Sequence, residues 1–307
     1  VELHQIRYFL AVVDNQGLGI AAGALGVAQP TVSQAVRELE RDLGVELFHR
    51  LGRGMVLSSA GRALVGPARR ILRDVAAAEG ALVDAAGQLR GRLDIAVMPS
   101  LAVDPVARMV SAFRHAHPSV SVRIGSVESA EAGLALIKQG DYELVACYLP
   151  LSGDAAGLTV EPVGVQEYCV VMPPGTELPP DDPLPLSALP GLPLIAVRRQ
   201  DSRTSQIEQA VAAAGALRRA AALVESPHAR LPFVLAGVGG SFLPRAVAED
   251  AISQGLVVRA VTPPFSWRYG LVFDAAALSN AGRAFVAVAT SAPEFNARDT
   301  HECPRGG

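Results

Sequence analysis

The chain predicts two bodies joined by a rod: an N-terminal all-α winged helix-turn-helix, a long linking helix, and a C-terminal α/β domain of two Rossmann-like subdomains. Three observations carry this reading. Residues 18–33 read as two short helices around a glycine turn, residues 59–89 repeat apolar positions seven apart, and beyond Gly91 short β-branched runs alternate with helical segments. The corresponding boundaries are 1–58, 59–90 and 91–307, with subdomain I at 91–161 and 265–292 and subdomain II at 162–264.

In the first body, Ala21, Ala22 and Leu25 give a short helix a small apolar face, and Gly26 stands where a helix end turns left-handed. Pro30 suits the first turn of the next helix, whose amides have no partner there. Val32, Val36, Leu39 and Leu43 then recur at helical spacing and face inward. Outside remain Gln29, Thr31, Ser33, Gln34, Arg37, Glu38 and Arg41, polar and cationic groups able to meet base edges and phosphates in a major groove. Taken alone, this window also fits a solvated amphipathic helix. Gly44 ends that helix, and Leu47 to Leu57 reads as two strands around Gly52-Arg53-Gly54, a wing with Arg50 and Arg53 near its tip. Ordinary solvated turn arginines look the same.

Charge is divided unevenly along the chain. Residues 1–73 hold nine Arg against six Asp or Glu, net +3, while the remainder carries −6. A basic tip on an acidic body suits double-stranded DNA as partner.

At this point the residues carry a family likeness. ELHQIRYFLAVVD, AAGALGVAQPTVSQAVRELERDLGVELFHR and LSSAGRAL closely resemble the N-terminal domain of LysR-type transcriptional regulators. The resemblance implies DNA contacts from Gln29, Pro30, Ser33 and Gln34, with Arg53 in the wing. It also implies an interrupted palindrome as the site, a linker helix that pairs protomers, and an assembly that is often a tetramer. The chain departs from the family pattern at Gly17, Leu18 and Gly19, where Ser-Phe-Thr is usual, at Ala28, where a serine commonly caps the reading helix, and at Gln34, where arginine is frequent. A lost cap costs about 1 kcal/mol.

From Ser59 to Leu89 a long helix is predicted. Leu64, Ile71, Ala78 and Ala85 fall seven apart, and Ala68, Val75, Leu82 and Leu89 form a second series offset by four. Such a seam buries against a second copy or against its own domain. Pro67 removes one donor near the start and predicts a kink.

The α/β part begins with LDIAV at Leu93 and a helix near Val106 to His115, then SVSVRI at Ser119, a helix near Ala130 to Gln139, and ELVACYL at Glu143. YCVVM at Tyr168, LIAV at Leu194, a helix near Ser205, AALVE at Ala221, GSFLP at Gly240, LVVRAV at Leu256 and YGLVF at Tyr269 follow, before a final helix near Ser279 to Thr290. Short β-branched runs, each followed by a helix, predict parallel strands. Crossings near Val160 and Pro264 leave a cleft outside the strand carboxyl ends. This segment is similar to the family's effector domain, itself like periplasmic binding proteins, which implies a small-molecule effector. Ser100, Ser129, Arg199, Ser202, Thr204 and His228 stand in strand-to-helix turns that converge on that cleft, and Arg198, Arg199 and Arg203 favour an anion. The resemblance implies that Ser100 touches the effector; each of the others reads equally as a helix cap or a solvated loop residue, and the three arginines equally as surface charge. The glycine cluster LAGVGGSFLP lacks the lysine and the strand-to-helix order of a phosphate-binding loop, so it reads as a close-packed turn.

No catalytic constellation assembles. There is no G-x-S-x-G, no H-E-x-x-H and no S-x-x-K with partners, and His115 and His117 have no further ligand nearby. The three cysteines, Cys147, Cys169 and Cys303, are isolated. We therefore expect no enzyme, metal or cofactor. With no signal-peptide pattern and no apolar run near ~18 residues, the expectation is a cytoplasmic protein off the membrane, with a loosely ordered tail from Pro293.

Overall fold

The computed structural model describes residues 1–51, 54–81, 89–189, 193–197, 202–215 and 220–291. The first body packs α1 (Leu3–Asn15), α2 (Leu18–Leu25) and α3 (Gln29–Leu43) around Ile6, Phe9, Leu10, Val12, Ala21, Ala22, Val32, Val36 and Leu39, all buried. A capping box opens α1, with the Glu2 amide donating to Gln5 Oε1 at 2.8 Å. Gly26 and Gly44 close α2 and α3 with φ of 67° and 70°, the left-handed region where a Cβ is penalised. Neither Gly17 nor Ala28 supplies a side-chain cap. One inward assignment is corrected: Leu43 is 39 % exposed, because it ends α3 just where Gly44 turns the chain away from the core.

Strands β1 (Phe48–Leu51) and β2 (Gly54–Leu57) pair antiparallel, Phe48 opposite Leu57, and form the wing. The Glu40 side chain on α3 fixes the wing's base by accepting from the Leu47 amide at 2.8 Å and the Phe48 amide at 3.2 Å.

Helix α4 (Ser59–Ala81) runs uninterrupted through Pro67. Leu89 is not helical, and residues 82–88 of the predicted 59–89 helix lie outside the described residues. Its seam is divided between two tasks. Ala68 is buried in the first body's core with Leu64 and Leu72 against it, whereas Ile71, four residues before Val75, is 39 % exposed. Ala85 and Leu82 lie outside the described residues.

In the second body β3 (Gly91–Val97) lies between β4 (Val120–Ser126) and β5 (Leu144–Tyr148), all parallel, flanked by α5 (Pro99–Leu101), α6 (Ala107–Ala116) and α7 (Ala130–Lys138). The long strand β6 (Thr159–Met172) leaves this layer, the short β7 (Leu184–Pro185) follows, and β8 (Ile195–Val197), α8 (Ser202–Ala213), β9 (Ala222–Val224), α9 (Arg230–Leu235), β10 (Ser241–Pro244), α10 (Arg245–Ile252), β11 (Val257–Arg259) and β12 (Val261–Thr262) build the other subdomain. β13 (Phe265–Phe273) then returns along β6, and α11 (Asn280–Ser291) closes on the first layer.

The all-parallel expectation is corrected here. β13 is antiparallel to both β5 and β6, and β10 and β11 are antiparallel to β6, giving one mixed sheet in the order β10-β6-β13-β5-β3-β4. Two strands that cross between subdomains in opposite directions must pair that way. Subdomain I buries one core around Ile95, Leu101, Met109, Phe113, Leu144 and Phe285; β6 carries two more, one on each face.

Candidate functional site

The first candidate site is the outer face of α3. With Val32, Ala35, Val36 and Leu39 turned inward, helical geometry leaves Gln29, Pro30, Thr31, Gln34 and Arg37 exposed and Ser33 half-buried. Gln34 Nε2 donates to Glu38 Oε1 at 3.0 Å, and Arg37 Nε to the Ser33 carbonyl at 3.1 Å, so both long side chains lie along the helix surface. A Cβ at Gly19 would come within 3.6 Å of Gln29 Oε1, which places the Gln29 amide over the start of α2. Arg50 lies on β1, but its side chain, like Arg53 as a whole, is outside the described residues.

The second site is the cleft between the subdomains. Register pairs Val97 with Ser126, so Ser100 and Ser129, each three residues further on, leave the same edge of the sheet. Ser129 also caps α7, its Oγ accepting from the Ala132 amide at 3.1 Å while its hydroxyl proton stays available. Parallel β8 and β9 likewise send Ser202, Thr204 and His228 to one edge of subdomain II. The turn holding His228, Pro227–Ala229, packs against α5, so the exposed His228 and the half-buried Ser100 face across the cleft. The side chains of Ser202 and Thr204, and Arg199 altogether, lie outside the described residues.

Several cleft residues are strand-borne and were not signalled by the strand-to-helix rule. Ser100 Oγ lies 2.8 Å from the Tyr148 hydroxyl at the end of β5. Tyr148 donates to Gln166 Oε1 on β6, and Gln166 Nε2 donates to the Asp104 carbonyl. Tyr168 brings a third hydroxyl, 3.3 Å from that of Tyr148. Trp267 on β13 meets the Tyr168 ring edge-on at 5.2 Å and donates from Nε1 to Gln206 on α8 at 3.3 Å. Gln166, 4 % exposed, was the one readable signal, an amide between Val165 and the run that starts at Tyr168. Tyr269 sits beside Asp104; burial, then that carboxylate, hold its hydroxyl well above the usual tyrosine range. Arg230 is buried and donates to the Pro227 carbonyl at 3.1 Å and the Phe242 carbonyl at 2.7 Å, which ties the His228 turn to β10.

The glycine cluster is the close-packed turn its sequence suggests, since a Cβ at Gly239 would stand 2.3 Å from the Pro193 carbonyl oxygen. Among the described residues no His, Cys, Asp and Glu group is arranged to hold a metal, and no helix is long and apolar enough to cross a membrane.

Comparison with known proteins accounts for both halves. Residues 3–62 match the family model of bacterial regulatory helix-turn-helix proteins of the lysR family, and residues 86–293 match the LysR substrate binding domain. A probable hydrogen peroxide-inducible genes activator of Mycobacterium leprae is 28 % identical over 278 residues, covering 88 % of this chain and 87 % of the relative. Among solved structures, a full-length OxyR variant from Pseudomonas aeruginosa superposes with a TM-score of 0.67 at 20 % identity, covering 94 % and 96 % of the two chains. CbnR, a LysR family transcriptional regulator, gives 0.65 at 21 %, covering 94 % and 98 %. The same family thus claims the reading helix and the cleft alike, and the chain belongs to the LysR-type transcriptional regulators.

Proposed function

We propose that the regulator reads an interrupted palindrome through Gln29, Pro30, Thr31, Ser33, Gln34 and Arg37 of α3, with Arg50 and Arg53 of the wing on the flanking backbone. The observation that carries this is the exposed polar face of α3, opposite a fully buried apolar one, on a helix clamped to the wing by Glu40. Two copies pair through α4, whose Ile71 and Ala78 are exposed while Leu64, Ala68 and Leu72 pack on the first body; paired dimers make a tetramer. The divisions are 1–58 for reading, 59–90 for pairing and 91–307 for sensing. The protein works in the cytoplasm and makes or breaks no bond: a small molecule in the cleft, at Ser100, Ser129, Arg199, Ser202, Thr204 and His228, favours one arrangement of the reading heads over another.

A small organic effector fits this chain better than peroxide. Among the described residues the cysteines are Cys147 and Cys169, 0 % and 2 % exposed within β5 and β6, whereas a redox-sensing thiol has to be reachable; Cys303 lies outside the described residues. Fluorescence anisotropy tests the whole reading, using the DNA upstream of the protein's own gene against a composition-matched scramble at about 150 mM salt, where non-specific binding is weak. Preference for the native fragment, unchanged by peroxide, is the expected result; equal binding to both rejects specific reading of that fragment.

A further inference from the structure

One atom sets the direction of the hydrogen-bond chain in the cleft. The Asp104 carbonyl only accepts, so the Gln166 group facing it is Nε2 and Oε1 is turned to Tyr148. Tyr148 has a single proton and gives it to Gln166. The hydroxyls of Ser100 and Tyr168 therefore donate to the Tyr148 oxygen, at 2.8 and 3.3 Å. With its proton committed inward, the hydroxyl of the half-buried Ser100 shows the cleft only lone pairs. A ligand hydroxyl donates to that oxygen directly. A carboxylate is repelled unless Ser100 abandons Tyr148, and that lost bond offsets what the anion gains.

We infer that the Ser100 end of the cleft selects the hydrogen-bond-donating hydroxyl of a small ligand over a carboxylate, and that Tyr148 and Gln166 are the positioning residues that set this preference. The inference rests on the cleft being the ligand site. It replaces, at this end of the cleft, the anion that the arginines at 198, 199 and 203 suggest.

The surroundings choose the probes. Trp267, half-buried and edge-on to the buried Tyr168, gives the site an aromatic neighbour, so 2-phenylethanol and phenylacetate suit it, sharing a ring and a carbon skeleton but ending in a donor or an anion. Trp267 is the only tryptophan of the chain and packs against the cores of both subdomains, so its emission reports occupancy without a label.

The full chain, Tyr148→Phe and Ser100→Ala are titrated with each probe. The natural chain is expected to bind 2-phenylethanol about fivefold more tightly, the worth of one neutral hydrogen bond. In Tyr148→Phe the Ser100 proton is released, and the ratio falls to unity or inverts. Should that variant not fold, Ser100→Ala carries the test, because it removes the acceptor and levels the two affinities. Tighter phenylacetate binding by the natural chain, or a ratio unmoved in a folded variant, overturns the inference while leaving the cleft as the ligand site. No response of Trp267 emission or thermal stability to either probe at millimolar concentration overturns the cleft reading and the inference together.

Discussion

Gly61→Ala separates local propensity from tertiary geometry, because the two predict opposite signs. Gly61 lies in the first turn of α4, where alanine is worth up to about 1 kcal/mol more than glycine. In this fold, however, a Cβ at 61 would stand 2.1 Å from the Leu47 carbonyl oxygen and 2.8 Å from Leu57 Cδ2, separations that real Cβ atoms do not show. Backbone cannot swing aside as a side chain can, so α4 has to retreat from the wing by about 1 Å to reach ordinary contact. That retreat stretches the Ser58 amide bond to the Leu47 carbonyl at 2.9 Å, the Ser58 Oγ bond to the Glu46 carbonyl at 2.6 Å, and the Arg62 bond to the Leu57 carbonyl at 2.7 Å. Three bonds at about 1 kcal/mol each, less the gain in propensity, leave a net loss of about 2 kcal/mol. For a reading domain of this size the melting temperature falls by about 8–16 °C.

The control is Gly23→Ala in α2, where a Cβ would meet nothing within 4 Å. It should stabilise by up to about 1 kcal/mol. Urea unfolding of both variants, followed alongside hydrogen exchange of the β1 and β2 amides, reads the difference. If Gly61→Ala proved as stable as Gly23→Ala, the seating of α4 on the wing would be wrong.

Four further perturbations test other parts of the molecule. Gln29→Ala should weaken binding to the preferred DNA by about 1–3 kcal/mol and leave scrambled DNA unaffected; an equal loss on both makes Gln29 a backbone contact. Ile71→Asp places a charge on the exposed face of α4 and should move sedimentation equilibrium towards monomer by at least about tenfold, whereas an unmoved equilibrium rules out pairing through that face. Tyr269, whose folded pKa lies above its unfolded value, stabilises fully below about pH 10 and loses that contribution as pH rises further, because the unfolded chain ionises first; the urea midpoint should fall at alkaline pH, and Tyr269→Phe should fall less. Gly66→Ala would drive a Cβ to 2.5 Å from the Gln139 carbonyl oxygen, so the two bodies should part, read as a larger radius of gyration in solution scattering; an unchanged radius argues against that contact.

What was legible in the sequence followed short-range rules. Gly26, Pro30 and Gly44 punctuate α2 and α3 because left-handed turns and helix starts are decided within a few residues. The position of Ser100 at the sheet edge was legible because a strand followed by a turn and a helix has a known open edge. Tyr148, Gln166, Tyr168 and Trp267 were not found, since they meet only after β6 and β13 have crossed between subdomains and paired antiparallel, with Trp267 opposite Gln166 and Phe265 opposite Tyr168. Alternation within one strand cannot say which distant strand lies beside it. Ser129 was placed correctly at its edge, yet its hydroxyl caps α7; a turn serine reads the same in either role until the amide at Ala132 is seen.

One element touches both the cleft and the linker, and its length decides how a ligand there reaches the reading heads. α7 begins after Ser129 at the cleft edge and ends at Lys138, where the turn through Gln139 and Asp141 meets α4. Gln139 offers its carbonyl to Gly66, and Asp141 pairs with Arg69, which also pairs with Asp14 of α1. Nine helical residues span about 13 Å as a stiff rod, so a displacement at its cleft end arrives at the linker nearly undiminished. The opposite face of α7 is fixed to β5, since a Cβ at Gly133 would lie 2.6 Å from Val145 Cγ1; the helix can therefore slide or roll on the sheet but has no room to sink into it. Continuity of this kind transmits only a difference between two states. The ligand has to bind one setting of α7 more tightly than another, and the Arg69 pairs, being only partly buried, are weak enough to be exchanged when it does.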